Sequence, residues 1–168
     1  DNHPVFNLST ISHIHLAMDE KDYHLLMTSK DKKKIYRRAN FTFYNGIVKQ
    51  VMNGVGVRLK GFGTLRYLKK GFNLHFGKFE FKGRRFYEMK KMGLKSGTED
   101  NSFIKSGVPT EFYRAQNIPS QRWGISLLWI NDFFYGVMWM GEGVTEGFKR
   151  GRFDKNGNLY KLKSASYK

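Results

Sequence analysis

The sequence predicts an α+β chain, an antiparallel β-sheet with one or two helices, from three observations. Apolar residues alternate with polar ones in several short runs, such as Phe41/Phe43, Val55/Val57/Leu59 and Phe72/Leu74/Phe76, which is the period of a strand with one buried face. Asn45-Gly46 sits between two of those runs and is the strongest two-residue hairpin signal. Apolar spacing turns helical after Asp19 and again after Asp100, so helices interrupt the strands without alternating regularly with them.

Each element has a local reason. "ISHIHLAM" (residues 11–18) puts Ile14, Leu16 and Met18 on one face of a strand and His13, His15 and Ala17 on the other. Asp19 offers an N-cap for a short helix, with Tyr23, Leu26 and Met27 at helical spacing. The basic run Lys30, Lys32, Lys33, Lys34, Arg37 and Arg38 reads as a solvated loop entering a strand. Residues 35–81 then form a meander, with Asn53-Gly54 expected to open the strand that holds Val55. Residues 100–117 read as a helix weakened by Gly107 and Pro109. "WGISLLWIN", "NDFFYG" and "VMWM" make a closing hairpin whose apolar residues run almost continuously. Residues 1–168 are expected to form a single domain, since the chain buries a proper core but is too short for two.

Composition narrows the chemistry. Thirty Lys+Arg against fourteen Asp+Glu give a formal charge of +16, so phosphates, acidic polymers and anionic surfaces are the attracted partners. Cysteine is absent, which excludes disulfides, thiol nucleophiles and thiolate zinc sites. The longest apolar run, "FFYGVMWM", is far too short to span a bilayer. The chain begins at Asp1 without Met, and is expected to be a processed protein or a piece of a longer one. His13 and His15 share a strand face, yet no third ligand has matching spacing for a metal. Trp123, Trp129 and Trp139 fit a packed sheet, with a stacking platform as the alternative.

One stretch concentrates the candidate chemistry: "GVRLKGFGTLRYLKKGFNLHF", residues 56–76. A turn containing Gly61 and Gly63 lets backbone N–H groups approach an oxyanion, Thr64 adds a hydroxyl, and Arg58, Lys60, Arg66, Lys69 and Lys70 add cations. The same residues also read as an ordinary basic hairpin.

In chain order, further segments accompany this stretch. "IHLAMDEKDYHLL" precedes it, and "LKSGTEDNSFIKS", "NIPSQRWGISLLWINDFFYGVMWMGE" and "FKRGRFDKNGNLYK" follow it. Together they resemble the CotH kinase family of atypical protein kinases. "GVRLKGFGTLR" is similar to the family's R-x-(R/K)-G-x-S-S-x-(R/K) loop, "LKKGFNLHF" to its K-K-S-(F/Y)-x-L-x-F strand, and the last segment to its G-N-L-Y-K ending. The resemblance implies a protein-kinase-like N-lobe covering ATP with Mg or Mn. The Gly61–Thr64 loop would lie over the phosphates, Arg58 with Lys69 or Lys70 would pair with phosphate oxygens, and Glu142 would lie near the adenine. The implied substrate is Ser or Thr of a coat or secreted protein, and the implied location is spore coat, cell surface or secreted.

The chain departs from the family pattern in places. Phe62-Gly63-Thr64 replaces Asn-Ser-Ser, and Lys105-Ser106-Gly107-Val108-Pro109 replaces R-E-K-L-A, leaving Glu111 as the nearest carboxylate to pair a phosphate lysine. The family's catalytic aspartates follow the G-N-L-Y-K segment, so none is expected in this chain, which as it stands is not expected to phosphorylate anything. The alternative function is an adhesion module binding acidic glycans or surface proteins. Nonspecific nucleic-acid binding has no recognisable motif behind it.

Overall fold

The computed structural model describes residues 3–28, 35–61, 63–100, 102–153 and 157–160. Seven strands run β1 (Ser12–Ala17), β2 (Arg37–Tyr44), β3 (Lys49–Lys60), β4 (Gly71–His75), β5 (Lys91–Lys95), β6 (Trp123–Ile130) and β7 (Phe133–Glu142). The helices are short: α1 (Glu20–Thr28), α2 (Gly107–Ala115) and α3 (Glu146–Arg150), with a 3-10 turn at Gly63–Arg66.

The strands close into a barrel in the order β1-β2-β3-β4-β5-β7-β6, and β6 returns to β1. Every pairing is antiparallel except this last one, in which Ser12 through Leu16 run parallel to Ser126 through Ile130. The expected antiparallel sheet with one or two helices, in the manner of a kinase-like N-lobe, is therefore not what the chain forms. The period within a strand reports which face is buried but not which distant strand lies beside it, and β1 and β6 are more than a hundred residues apart.

Alternation inside the strands fills the barrel. Ile14 and Leu16 of β1, Phe41 and Phe43 of β2, Val57 and Leu59 of β3, Phe72 and Leu74 of β4, and Met92 and Leu94 of β5 are all buried. Phe86, from the β4–β5 connection, packs edge-on against Phe41 and Phe43, with ring centroids 5.2 Å away in each case. Each such side chain contributes about 1.5–3 kcal/mol of transfer free energy when fully buried.

Several local expectations are met. Asp19 caps α1, its Oδ1 accepting the backbone N–H of Lys21 (2.9 Å) and Asp22 (3.2 Å). Asn45 fixes the β2–β3 hairpin by accepting from the N–H of Val48 at 2.8 Å. Others are corrected. Asn53-Gly54 opens no strand: β3 continues through it, and Gly54, at φ +64, sits at a register shift opposite Ala39 and Phe41. It is a bulge, which uses the same left-handed residue that a tight turn uses. β5 was not among the expected strands. The helix expected over 100–117 is confined to Gly107–Ala115, and Pro109 falls in its first turn, where its missing N–H costs nothing. Residues 30 and 32–34 of the basic run lie outside the described residues, whereas Arg37 and Arg38 begin β2. Among the described residues no helix is long and apolar enough to cross a membrane.

The Phe41→Ala variant should lose about 3–5 kcal/mol of stability, read as a lowered urea midpoint at unchanged slope; a change below about 1 kcal/mol would mean that the aromatic cluster is not the core.

Candidate functional site

With the barrel interior packed, a ligand site has to use its outside. Strand register arranges that outer face in rows. One row runs Arg58–Asn73–Gly93–Gly141–Trp123 across β3, β4, β5, β7 and β6. On one side of it stand Lys60 paired with Gly71, and Lys95 paired with Trp139. On the other stand Gly56, His75 and Lys91. The middle of the central row therefore carries the smallest side chains, and the rows beside it carry cations.

The result is a trough with its floor at Gly93. Lys91 and Lys95 flank Gly93 along β5, each two residues and so about 7 Å away on the same face. Lys60 reaches across: its Cε and Nζ lie 3.5 and 3.6 Å from where a Cβ on Gly93 would be. Arg58 stands two strands away, its guanidinium 5.0 Å from the centre of the Tyr36 ring. Lys95 Nζ lies 4.1 Å over the Trp139 ring and donates to Ser106 Oγ at 3.0 Å. Trp139 in turn stacks beside Trp123, ring centroids 6.3 Å apart.

Electrostatics at the trough is unbalanced. Burial, then the Lys95 ammonium, then the Arg58 guanidinium push Lys60 below the usual lysine range. Burial likewise lowers Lys95, opposed by Asp100. Like charges held near one another repel. An anion among these groups relieves that repulsion and favours the charged form of each lysine. Glu142, the carboxylate at one end, supplies little relief: it is 4% exposed and is held by Arg152 at 2.8 Å and Arg122 at 3.3 Å.

The sequence candidates divide by position. Lys60, Gly61 and Thr64 line the cavity at the loop end, and Arg58, Lys60 and Glu142 line the adjoining one. At Gly61, φ +108 and a Thr64 Oγ1 only 1.9 Å from the position of a Cβ leave room for glycine alone. Gly63 starts the 3-10 turn. Lys69 and Lys70 make backbone contacts, and Lys69 Nζ also lies 5.2 Å over the ring of Phe103, which lines the cavity at the loop end. Lys69 Nζ donates to Val137 O at 2.5 Å, and Lys70 Nζ donates to the carbonyls of Leu65 and Tyr67, holding the turn together. Arg66 is exposed and donates to Tyr67 Oη at 3.0 Å. Glu111 accepts from Trp123 Nε1 at 2.8 Å and from Arg114 at 3.0 Å. His13 and His15 stack on Trp129, centroids 5.3 and 4.7 Å away.

Sequence reasoning missed Lys91, Gly93 and Lys95. Their signal is the alternation of Met92 and Leu94, which turns all three to the opposite face.

A surface that gathers four cations around a bare strand floor is suited to a polyphosphate. A family model described as CotH kinase protein matches residues 57–168, which include most of this surface. The chain belongs to the CotH kinase family, and its role is kinase-related. No curated protein matches it.

His75, on the margin of the trough, is pushed from 6.5 to about 4, first by burial and then by Lys91 and Lys90. Between those two values the unfolded chain binds a proton that the folded chain refuses, so stability falls as pH drops from 6.5 to about 4. Melting curves across that window should show a shallower fall for His75→Asn than for the parent chain; parallel curves would contradict the assignment.

Proposed function

We propose that this chain is the nucleotide-binding part of a CotH-type phosphotransferase, holding ATP together with Mg or Mn at the trough over Gly93. The observation that carries the reading is the cluster of Arg58, Lys60, Lys91 and Lys95 around a glycine floor. Family membership adds the reaction class.

The residues fit the phosphates better than they fit a bare metal. Among the described residues no group of three metal-ligating side chains occurs. Asp100 is engaged with Ser102 Oγ at 2.5 Å and the Lys105 N–H at 2.9 Å. A divalent ion would therefore arrive on the phosphates, with this chain binding the anionic side of the complex. When bound, the nucleotide supplies a γ-phosphoryl group that can be transferred to a hydroxyl. Lys60 and Lys95 neutralise the phosphate oxygens, and Trp139 beneath Lys95 fixes that ammonium over the floor. The acceptor in this reading is a Ser or Thr of a coat or secreted protein, in keeping with the spore-coat association in the family's name.

Calorimetric titration with a non-hydrolysable ATP analogue and magnesium tests the reading. Lys60→Ala and Lys95→Ala should each weaken binding by about tenfold or more, the loss of one charge-assisted contact, and Lys49→Ala, at the exposed far end of β3, should change it by less than about twofold. Equal losses for all three, abolished by salt, would mean diffuse attraction to a basic protein and no site.

A further inference from the structure

The connection between β4 and β5, residues 76–90, has a composition of its own. It holds five cations, Lys78, Lys82, Arg84, Arg85 and Lys90, against two carboxylates, Glu80 and Glu88. Glu80 is already engaged, since Arg38 donates to it at 2.6 Å. Four phenylalanines lie in the same stretch and divide into two pairs. Phe76 and Phe86 are buried and anchor the connection in the core, whereas Phe79 is 36% and Phe81 69% exposed. Residues 78–83 are exposed in unbroken succession, so the second pair rides on a protruding tip.

The tip is internally braced. The Arg84 N–H donates to Phe81 O at 3.0 Å, Arg85 donates to Lys82 O at 2.8 Å, and the Arg84 side chain donates to Asn53 O on β3. A Cβ on Gly83 would lie 3.3 Å from two carbons of the Phe81 ring, so that ring rests against the turn. One exposed apolar residue is ordinary on a protein surface. Two rings on one braced tip, with Lys78 and Lys82 beside them in the chain and two arginines behind, match an anionic bilayer: the rings enter the boundary between headgroups and acyl chains while the cations stay among the headgroups. A groove or an open stacking platform suits a peptide or a nucleic-acid strand, and a convex tip suits a surface wider than the protein. We propose that the β4–β5 tip docks on an anionic lipid surface, with Phe79 and Phe81 inserted and Lys78, Lys82, Arg84 and Arg85 on the headgroups. This docking is independent of the nucleotide reading of the trough.

Co-sedimentation of the whole chain with phosphatidylcholine vesicles, with and without phosphatidylglycerol, tests the proposal. Binding should require phosphatidylglycerol. Phe81→Ser should weaken it about tenfold and Lys82→Gln about fivefold. Phe133→Ser, which removes an 80% exposed ring from the start of β7, should leave it unchanged. Insertion has a separate signature: Phe81→Trp should add fluorescence, relative to the parent chain, that lipids brominated on their acyl chains quench. Parent-level vesicle binding by Phe81→Ser, an equal loss in Phe133→Ser, or no added quenching in Phe81→Trp would each overturn the proposal and leave only the attraction of a basic protein to an anionic surface. Failure to bind phosphatidylglycerol vesicles would overturn it outright. Tighter binding of single-stranded polyuridylate than of vesicles, lost in Phe81→Ser, would make the tip a nucleic-acid surface and overturn it as well.

Discussion

Parallel pairing of β1 with β6 decides where this protein can hold a ligand. Closure turns Ile14, Leu16, Phe41, Phe43, Phe72 and Leu74 inward, where together with Phe86 they pack the barrel interior. Whatever the chain binds must meet the outer face, and there the register of β3, β4, β5 and β7 sets side chains in rows. Four of the facing positions are cations and four are glycines, Gly56, Gly71, Gly93 and Gly141. Slip β5 by one residue and Lys91, Gly93 and Lys95 would point into the core, while Met92 and Leu94 would face water. Packing inside the barrel therefore fixes the charge pattern outside it.

Like charges gathered in this way oppose folding, and at Lys60 the Lys95 and Arg58 charges add to burial in lowering the lysine. Sites of this kind persist when the surrounding scaffold over-determines them and a ligand supplies the missing charge. Here the strands do the holding, since Lys60 lies along the Gly93 floor and Lys95 is held between Ser106 and Trp139. Glu142 stands opposite Met92, on the face of the sheet turned away from Gly93, and is held there by Arg122 and Arg152. A buried carboxylate requires such partners.

Local chemistry made much of the fold legible. Asp19 as an N-cap, Asn45-Gly46 as a hairpin turn and the alternation of Ile14 with Leu16 or Phe41 with Phe43 depend on neighbours within a few residues. The second Asn-Gly pair was misread because a bulge and a turn require the same positive φ, and only the partner strand tells them apart. Closure was not legible, since nothing in "ISHIHLAM" announces "ISLLWI" as a neighbour. The site divides in the same way. Arg58, Lys60, Gly61 and Thr64 stood out because they crowd one glycine-rich stretch, and so did Lys69 and Lys70, whose side chains turn to backbone carbonyls instead. Lys95 stood in no suggestive stretch: pairing through β4 and β7 brings it beside Lys60 and Trp139.

The central claim is that a bare strand floor ringed by cations is the binding surface, so shape must matter as well as charge. Gly93→Val tests this directly, because a Cβ at Gly93 meets Lys60 at ordinary contact distances of 3.5–3.7 Å and every cation is kept. The account predicts an unchanged melting temperature and a loss of most ATP-analogue binding as measured by calorimetry. Binding at the parent affinity in a folded Gly93→Val chain would contradict it.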